Sequence, residues 1–302
     1  MKPTVSIILV NWNGLVHTTE CLESLKRITY PNYKVIVVDN ASQGDDVAIL
    51  NSKYGNYITL LKSTENLGFG GGNNIGIRYV LKERKDDYVL LLNNDTVVKP
   101  DFLDELVRTA EFDRNTGIVG GKIVYYRDPE KVWYENGRLD LIRGNAYHIH
   151  SAKIRIGGCD IQKTSFITGC LMLIRREVFE KVGLLPEEYF LSVEDVDFCY
   201  RVMKAGYTMK VNPKTSISHK VSVAKGGEDT PSEVYYLTRN RLHFMLSTVR
   251  SLRYVIPFMI FFTLSRLVIV CRRFIEYKAD YNKAMVNGIR DGLTDTMGIK
   301  IL

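Results

Sequence analysis

Cysteine is scarce and unpatterned in this chain: Cys21, Cys159, Cys170, Cys199 and Cys271 are the only five among 302 residues, and no two stand in a Cys-x-x-Cys pair. An odd, scattered set cannot all pair, so a disulfide framework is excluded and reduced thiols in the cytoplasm are the simplest reading. Repeats and low-complexity tracts are also missing, which leaves one large domain, or one domain with an appendage. Met1-Lys2-Pro3-Thr4 runs straight into a strand pattern, so no secretory leader is expected. There is no convincing Ser-His-Asp or Cys-His arrangement, and catalysis through a protein nucleophile is not expected. Nor does Gly-x-Gly-x-x-Gly follow the first strand, where Asn11-Trp12-Asn13-Gly14 stands instead. That argues against a nicotinamide dehydrogenase, although Asp39 at the end of the second strand imitates its ribose-binding acid.

What is present is a globular composition, 45% hydrophobic and 25% charged, with a formal charge of +7 and a pI near 9.0. Arg250, Arg253, Arg266, Arg272 and Arg273 crowd the C-terminal part around an apolar run. Basic residues placed that way point to anionic lipid, and no nucleic-acid partner is expected.

Runs rich in valine and isoleucine alternate with segments of helical period. Val5 to Val10 reads as a strand, His17 to Ile28 as a helix, and Val35 to Val38 and Ile58 to Leu61 as further strands. A glycine-rich loop, Gly68-Phe69-Gly70-Gly71-Gly72, then precedes a helix from about Asn74 to Lys82 and a strand from Tyr88 to Leu92. Such βαβ arithmetic implies an α/β fold with a mostly parallel central sheet flanked by helices. Shorter strands follow near Ile118 to Tyr126 and Cys170 to Ile174, with a looser stretch around Trp133 to Ile156. Residues 1–240 are expected to form the main domain, about 1–100 a nucleotide half and 101–220 an acceptor half, with 241–302 a helical appendage.

Three features carry chemistry. The apolar strand ending in Asn93-Asn94-Asp95 delivers a carboxylate to the carboxyl edge of the sheet, where α/β ligands bind. A hard divalent cation prefers such oxygen ligands, though a turn aspartate is the plain alternative. Four glycines in five positions suit close approach of backbone to a phosphate or sugar, with Asn66, Asn73 and Asn74 at hand for hydrogen bonds. Glu194-Asp195-Val196-Asp197 opens a helix, where a capping carboxylate would be held ionised; such a group suits a general base, and simple capping is the rival reading. Asp197 and Arg201, at i and i+4, read as a structural pair. His148 and His150 read as an exposed strand face rather than as metal ligands.

Val10-Asn11-Trp12-Asn13-Gly14, Val37-Val38-Asp39-Asn40-Ala41-Ser42, Glu65-Asn66-Leu67-Gly68-Phe69-Gly70-Gly71-Gly72-Asn73-Asn74, Leu92-Asn93-Asn94-Asp95 and Glu194-Asp195-Val196-Asp197 occur in this order. In that order they resemble the family-two glycosyltransferases of the GT-A fold, especially the rhamnosyltransferase-like branch, over roughly Thr4 to Arg241. The resemblance implies inverting transfer from a nucleotide-diphosphate sugar to a saccharide or lipid-linked glycan, with Mg²⁺ or Mn²⁺ on the diphosphate. It implies that Asn11, Asn13, Asp39, Asn66, Gly68, Phe69, Asn74 and Asn94 line the nucleotide-sugar site. Asp95 and His219 would bind the metal, Asp195 would be the base, and Glu194 would orient the acceptor. The family's Asp-x-Asp reads Asn93-Asn94-Asp95 here, and an amide supplies no charge. A catalytically silent nucleotide-sugar-binding module and a sugar nucleotidyltransferase are the alternative functions.

Tyr254 to Cys271 reaches roughly 27 Å as a helix, slightly short of a hydrocarbon core. An interfacial helix or short re-entrant segment on the inner face of the cell membrane, through 254–273, is the favoured reading; a buried core or homodimer helix and a true span are the others.

Overall fold

Valine, isoleucine and leucine write the parallel half of the sheet. In the computed structural model, which describes residues 2–149, 161–220, 230–275 and 279–300, strands and helices alternate strictly to residue 92. The order is β1 (Val5–Asn11), α1 (Leu15–Leu25), β2 (Tyr33–Asp39), α2 (Asp46–Tyr54), β3 (Ile58–Lys62), α3 (Gly68–Glu83) and β4 (Tyr88–Leu92). β1 pairs in parallel with β2 and β4, and β2 with β3. Every residue of β4 is buried, as a strand covered on both faces requires.

One expected element is wrong. The glycines do not form a loop: α3 begins at Gly68 and takes them into its first turns. Glycine disfavours helix by about 1 kcal/mol per residue, and tertiary packing overrides that preference here. A Cβ on Gly72 would come within 2.9 Å of Val10, and one on Gly76 within 2.8 Å of Ile8, so the helix lies directly on β1.

Beyond β4 come β5 (Thr96–Val98), α4 (Phe102–Glu111), β6 (Thr116–Tyr125), β7 (Val132–Tyr134), β8 (Asn136–Asp140), β9 (Asn145–Ile149), β10 (Gln162–Thr164), β11 (Leu171–Arg175), α5 (Arg176–Val182), α6 (Glu194–Lys204) and β12 (Thr208–His219). The main sheet runs β10-β12-β6-β11-β4-β1-β2-β3, with β5 on β12 and β7 on β6. β11 inserts antiparallel between β4 and β6, while β12 runs parallel to β6. α4 buries Phe102, Leu103, Leu106, Val107 and Ala110 on one stripe and keeps Asp104 and Glu105 in its first turn, where the helix dipole favours them. The stretch expected to be loose holds β7, β8 and β9 as far as residue 149; 150–156 lie outside the described residues.

The helical part begins with α7 (Pro231–His243), which contains residue 240, and continues through a π-helical turn to α8 (Leu252–Ile275) and α9 (Ala279–Leu293). Thr230 starts α7 with a capping box, accepting the Glu233 N–H at 3.2 Å while the Glu233 carboxylate accepts the Thr230 N–H at 2.7 Å. α9 returns against α7 so closely that a Cβ on Gly288 would lie 2.7 Å from the Tyr235 carbonyl oxygen. α8 is longer than the sequence reading allowed, 24 residues. Its segment Leu252–Arg272, with mean hydropathy 2.1, is long and apolar enough to cross a membrane. Phe258 and Phe262 join the main core, whereas Leu252, Ile256, Ile260, Leu264, Leu267 and Val268 are 56–70% exposed.

Candidate active site

Asp95 and His219 meet because β12 runs antiparallel to the short strand that follows Asp95, placing His219 opposite Thr96. The Lys220 N–H donates to the Asp95 carbonyl at 2.9 Å and locks the register. His219 Nε2 lies 3.1 Å from Asp95 Oδ1. That is ion-pair distance but off the line of a hydrogen bond, so Asp95 Oδ1 and His219 Nδ1 stay buried without hydrogen-bond partners. Two cis ligands of an octahedral cation with bonds of about 2.1 Å lie about 3.0 Å apart, and the pair fits that spacing. Burial lowers the imidazole's proton affinity, but the neighbouring Cys170 and Asp95 outweigh it and raise His219 to about 10. The Trp133 ring stands edge-on to the His219 ring, with centroids 4.7 Å apart, and closes its outer side.

The acids of α6 are presented by strained backbone. Phe190, Ser192 and Val193 all have positive φ, at 62°, 69° and 77°, and for a β-branched valine that conformation is costly. Buried side chains of α7 hold it. Asn240 Nδ2 donates to the carbonyls of Tyr189, Leu191 and Ser192 at 3.1, 2.7 and 2.8 Å. Arg239 Nη2 donates to the Tyr189 carbonyl at 2.9 Å, and its Nε to Asn240 Oδ1 at 2.9 Å. Gly68, with φ of 70°, presses against the Phe190 carbonyl, and the Phe69 N–H donates to that same oxygen at 2.9 Å.

Neither Glu194 nor Asp195 is the helix cap that the sequence suggested. The N-cap is Val193, with no side-chain capping bond, and the two acids occupy the first helical positions. The expectation of a carboxylate held ionised by capping fails with it. Burial raises both groups, and the neighbouring Asp195 charge raises Glu194 further. Asp195 stays the more acidic because backbone N–H groups, including that of Gly169 at 3.1 Å, donate to it. Glu194 is buried with Oε2 unpartnered, while Asp195 keeps some exposure. Asp197 is structural as expected: it accepts Arg201 Nε at 2.6 Å and Tyr189 Oη at 2.8 Å.

A cavity of about 620 Å³ opens at the carboxyl edge of β1 and β4. Of the expected site residues, Asn13, Asn66, Gly68, Phe69, Asn94 and Asp95 line it. Asn11, Asp39 and Asn74 do not. Asn11 is fully buried and donates to Asp39 at 3.0 Å and Asp46 at 2.9 Å, bracing the wall from behind. Asp39 accepts the Ser42 N–H at 3.1 Å, and Asn74 donates to the Leu185 carbonyl at 2.8 Å and to Glu187 at 2.7 Å. Asp195 stands one residue behind the wall: a Cβ on Gly169, whose N–H it accepts, would meet the Phe69 ring at 2.6 Å. His148 is no exposed strand residue, since Nδ1 lies 2.9 Å from the Trp133 carbonyl oxygen and the ring packs among Trp133, Tyr134 and Phe166. His150 lies outside the described residues.

Sequence reasoning missed Arg239 and Asn240, and also Tyr236, Ile299 and Lys300, which complete the cavity wall. The available signal was the capping box at Thr230, which marks a helix start shortly before Arg239 and Asn240.

The family model for glycosyl transferase family 2 matches residues 6–183. The chain belongs to glycosyl transferase family 2. This family-2 glycosyltransferase is 26% identical over 310 residues to the low-salt glycan biosynthesis hexosyltransferase Agl10 of Haloferax volcanii, covering 99% of this chain and 94% of that one. It is 24% identical to the dTDP-rhamnosyl transferase RfbF of Shigella flexneri, covering 97% and 98%. Another relative, the uncharacterized protein y4gI of Sinorhizobium fredii, is 29% identical over 76% of this chain, which spans 26% of that protein's length. Among solved structures, the mannosyltransferase PcManGT of Pyrobaculum calidifontis, in complex with GDP-Man and Mn²⁺, aligns with a TM-score of 0.61 at 16% identity, covering 98% of this chain and 88% of that one. The fold of the glycosyltransferase is thus GT-A.

Proposed function

We propose that this glycosyltransferase moves a hexose, rhamnose foremost, from a nucleoside diphosphate to a hydroxyl of a saccharide or lipid-linked glycan, inverting the anomeric centre. The observation that carries this reading is the Asp95–His219 pair: Asp95 Oδ1, buried without a hydrogen-bond partner, lies 3.1 Å from His219 Nε2, a spacing that suits two ligands of one cation, and Asp95 is on the wall of a cavity sized for a sugar nucleotide. Asp95 and His219 are the residues to hold Mg²⁺ or Mn²⁺, and the ion, when bound, neutralises charge on the departing diphosphate. Among the described residues no group of three or more His, Cys, Asp or Glu side chains forms a metal site, so the donor's phosphates and water complete the coordination.

Asn13, Asn66 and Asn94 orient the donor from the wall. Asp195, ionised in preference to Glu194, takes the proton of the acceptor hydroxyl as its oxygen attacks the face of the sugar away from the diphosphate. Glu194, held neutral by burial beside it, keeps a second negative charge out of the site. The exposed stripe of α8 lies on the membrane's inner face, with Arg250 and Arg253 beside it for anionic lipid. Phe258 and Phe262 tie the first half of α8 to the core, which favours contact over a span.

The deciding experiment supplies dTDP-, UDP- and GDP-sugars with Mn²⁺ and separates the products. A sugar nucleotide consumed with release of nucleoside diphosphate supports the transferase. Formation of nucleoside triphosphate and sugar 1-phosphate when pyrophosphate is added points instead to a nucleotidyltransferase, and binding without turnover in the presence of lipid-linked acceptor to a silent module.

A further inference from the structure

We infer that Lys300 is a phosphate-binding residue of the donor cavity, carried there by a strap of chain that follows α9; the inference rests on the donor-cavity reading above. After Leu293 the backbone reverses, with the Thr296 N–H donating to the Asp291 carbonyl at 2.8 Å and Gly298 at φ of 88°. The strap is fastened on two sides. Its Gly298 N–H donates to the Glu188 carbonyl at 2.9 Å, just before the strained loop, and the Gly298 carbonyl accepts Arg239 Nη1 at 2.6 Å. The Lys300 N–H donates to Tyr236 Oη at 2.8 Å. These bonds fix Ile299 and Lys300 as part of the cavity wall without using the lysine ammonium.

Charge then assigns the ammonium a task. Among the described residues, Lys300 is the sole lysine or arginine lining the cavity, and Asp95 the sole carboxylate. A nucleoside diphosphate entering beside Asp95 adds at least two negative charges, and a lysine ammonium meets phosphate as a compact point charge with three rotatable donors. In this structure Nζ rests 3.1 Å from Asp291 Oδ2, with the lysine side chain 33% exposed. Asp291 does not depend on it, because Tyr235 Oη donates to Oδ2 at 2.7 Å and Arg290 Nε to Oδ1 at 2.8 Å. Lys300 therefore exchanges Asp291 for phosphate and leaves no carboxylate stranded.

The test compares wild type, Lys300→Ala and Lys300→Arg in the full chain. Affinities for dTDP, UDP and GDP come from calorimetry, and those for thymidine, uridine and guanosine from ligand-observed NMR. Lys300→Ala is expected to weaken the best-bound diphosphate about tenfold or more, with the matching nucleoside unchanged and Lys300→Arg recovering most of the loss. Equal losses for diphosphate and nucleoside would make Lys300 a mere fastening of the strap and overturn the inference, as would no loss for either. If wild type binds diphosphates and only the variant's behaviour disagrees, the inference alone fails. If wild type binds no diphosphate, the donor-cavity reading fails with it.

Discussion

Asn240 Nδ2 donates to the carbonyl oxygen of Ser192 at 2.8 Å, tying α7 to the backbone immediately before the acids of α6. The same amide reaches two neighbouring carbonyls, so three acceptors depend on one side chain. Asn240→Ala is expected to cost about 1–3 kcal/mol of stability and to lower turnover more than donor affinity. Asn240→Asp should be worse than alanine, because a carboxylate facing three carbonyl oxygens is repelled. Thermal melts and initial rates check this; an aspartate variant as active as wild type would disconnect the loop from catalysis.

Asp195→Asn keeps the shape of the side chain and removes its basic lone pair. Donor affinity should survive while turnover falls by about 10² to 10⁴. Glu194→Gln should fall less. A dead glutamine variant beside an active asparagine variant would move the base by one position.

Nucleoside diphosphate should bind more tightly with Mn²⁺ or Mg²⁺ than with EDTA, and Asp95→Ala should abolish the increment. His219→Ala should reduce it. Calorimetry giving equal affinities with and without the ion would remove the metal from the mechanism.

The buried Glu194 also predicts a pH signature in stability. Its proton affinity is raised on folding, chiefly by burial and then by Asp195. The folded state thus holds this proton more tightly than the unfolded chain does. The contribution is present below the ordinary carboxylate range and is lost as pH rises through the raised value. Glu194→Gln cannot ionise, so its melting temperature should match wild type near pH 4, rise above it as pH increases, and exceed it most near pH 9. A difference constant with pH would mean that Glu194 is not held neutral.

Removing everything from Tyr254 onward would also remove α9 from α7, so membrane contact is better tested on the exposed stripe alone. Ile260→Asp with Leu264→Asp should leave the fold intact and release the protein from anionic vesicles. Flotation unchanged by both substitutions would show that α8 is not the contact.

Local pattern revealed what is locally determined. β4 and Asp95 were legible because five consecutive buried apolar residues end at a polar edge, and His219 because the family motif extends to it. Gly68 to Gly72 read as loop because helix propensity is a local quantity, whereas their helix packs against Val10, Pro186 and Phe190 from distant segments. A cap at Glu194 fails for a related reason: Asn240, far along the chain, fastens the Ser192 carbonyl and with it the positive-φ turn that ends at Val193. Lys300 reaches the cavity through a reversal that no periodicity announces.

The near absence of side chains in the first turns of α3 limits how this enzyme can be retargeted. Gly70 abuts the Pro186 carbonyl, Gly72 the Val10 side chain and Gly76 the Ile8 side chain, each within 3 Å of where a new Cβ would stand. Randomising these helix glycines, none of which lines the cavity itself, would yield mostly misfolded clones. A library for sugar preference is better built at Leu191, Tyr236 and Ile299, cavity-lining positions that none of these glycine contacts involves.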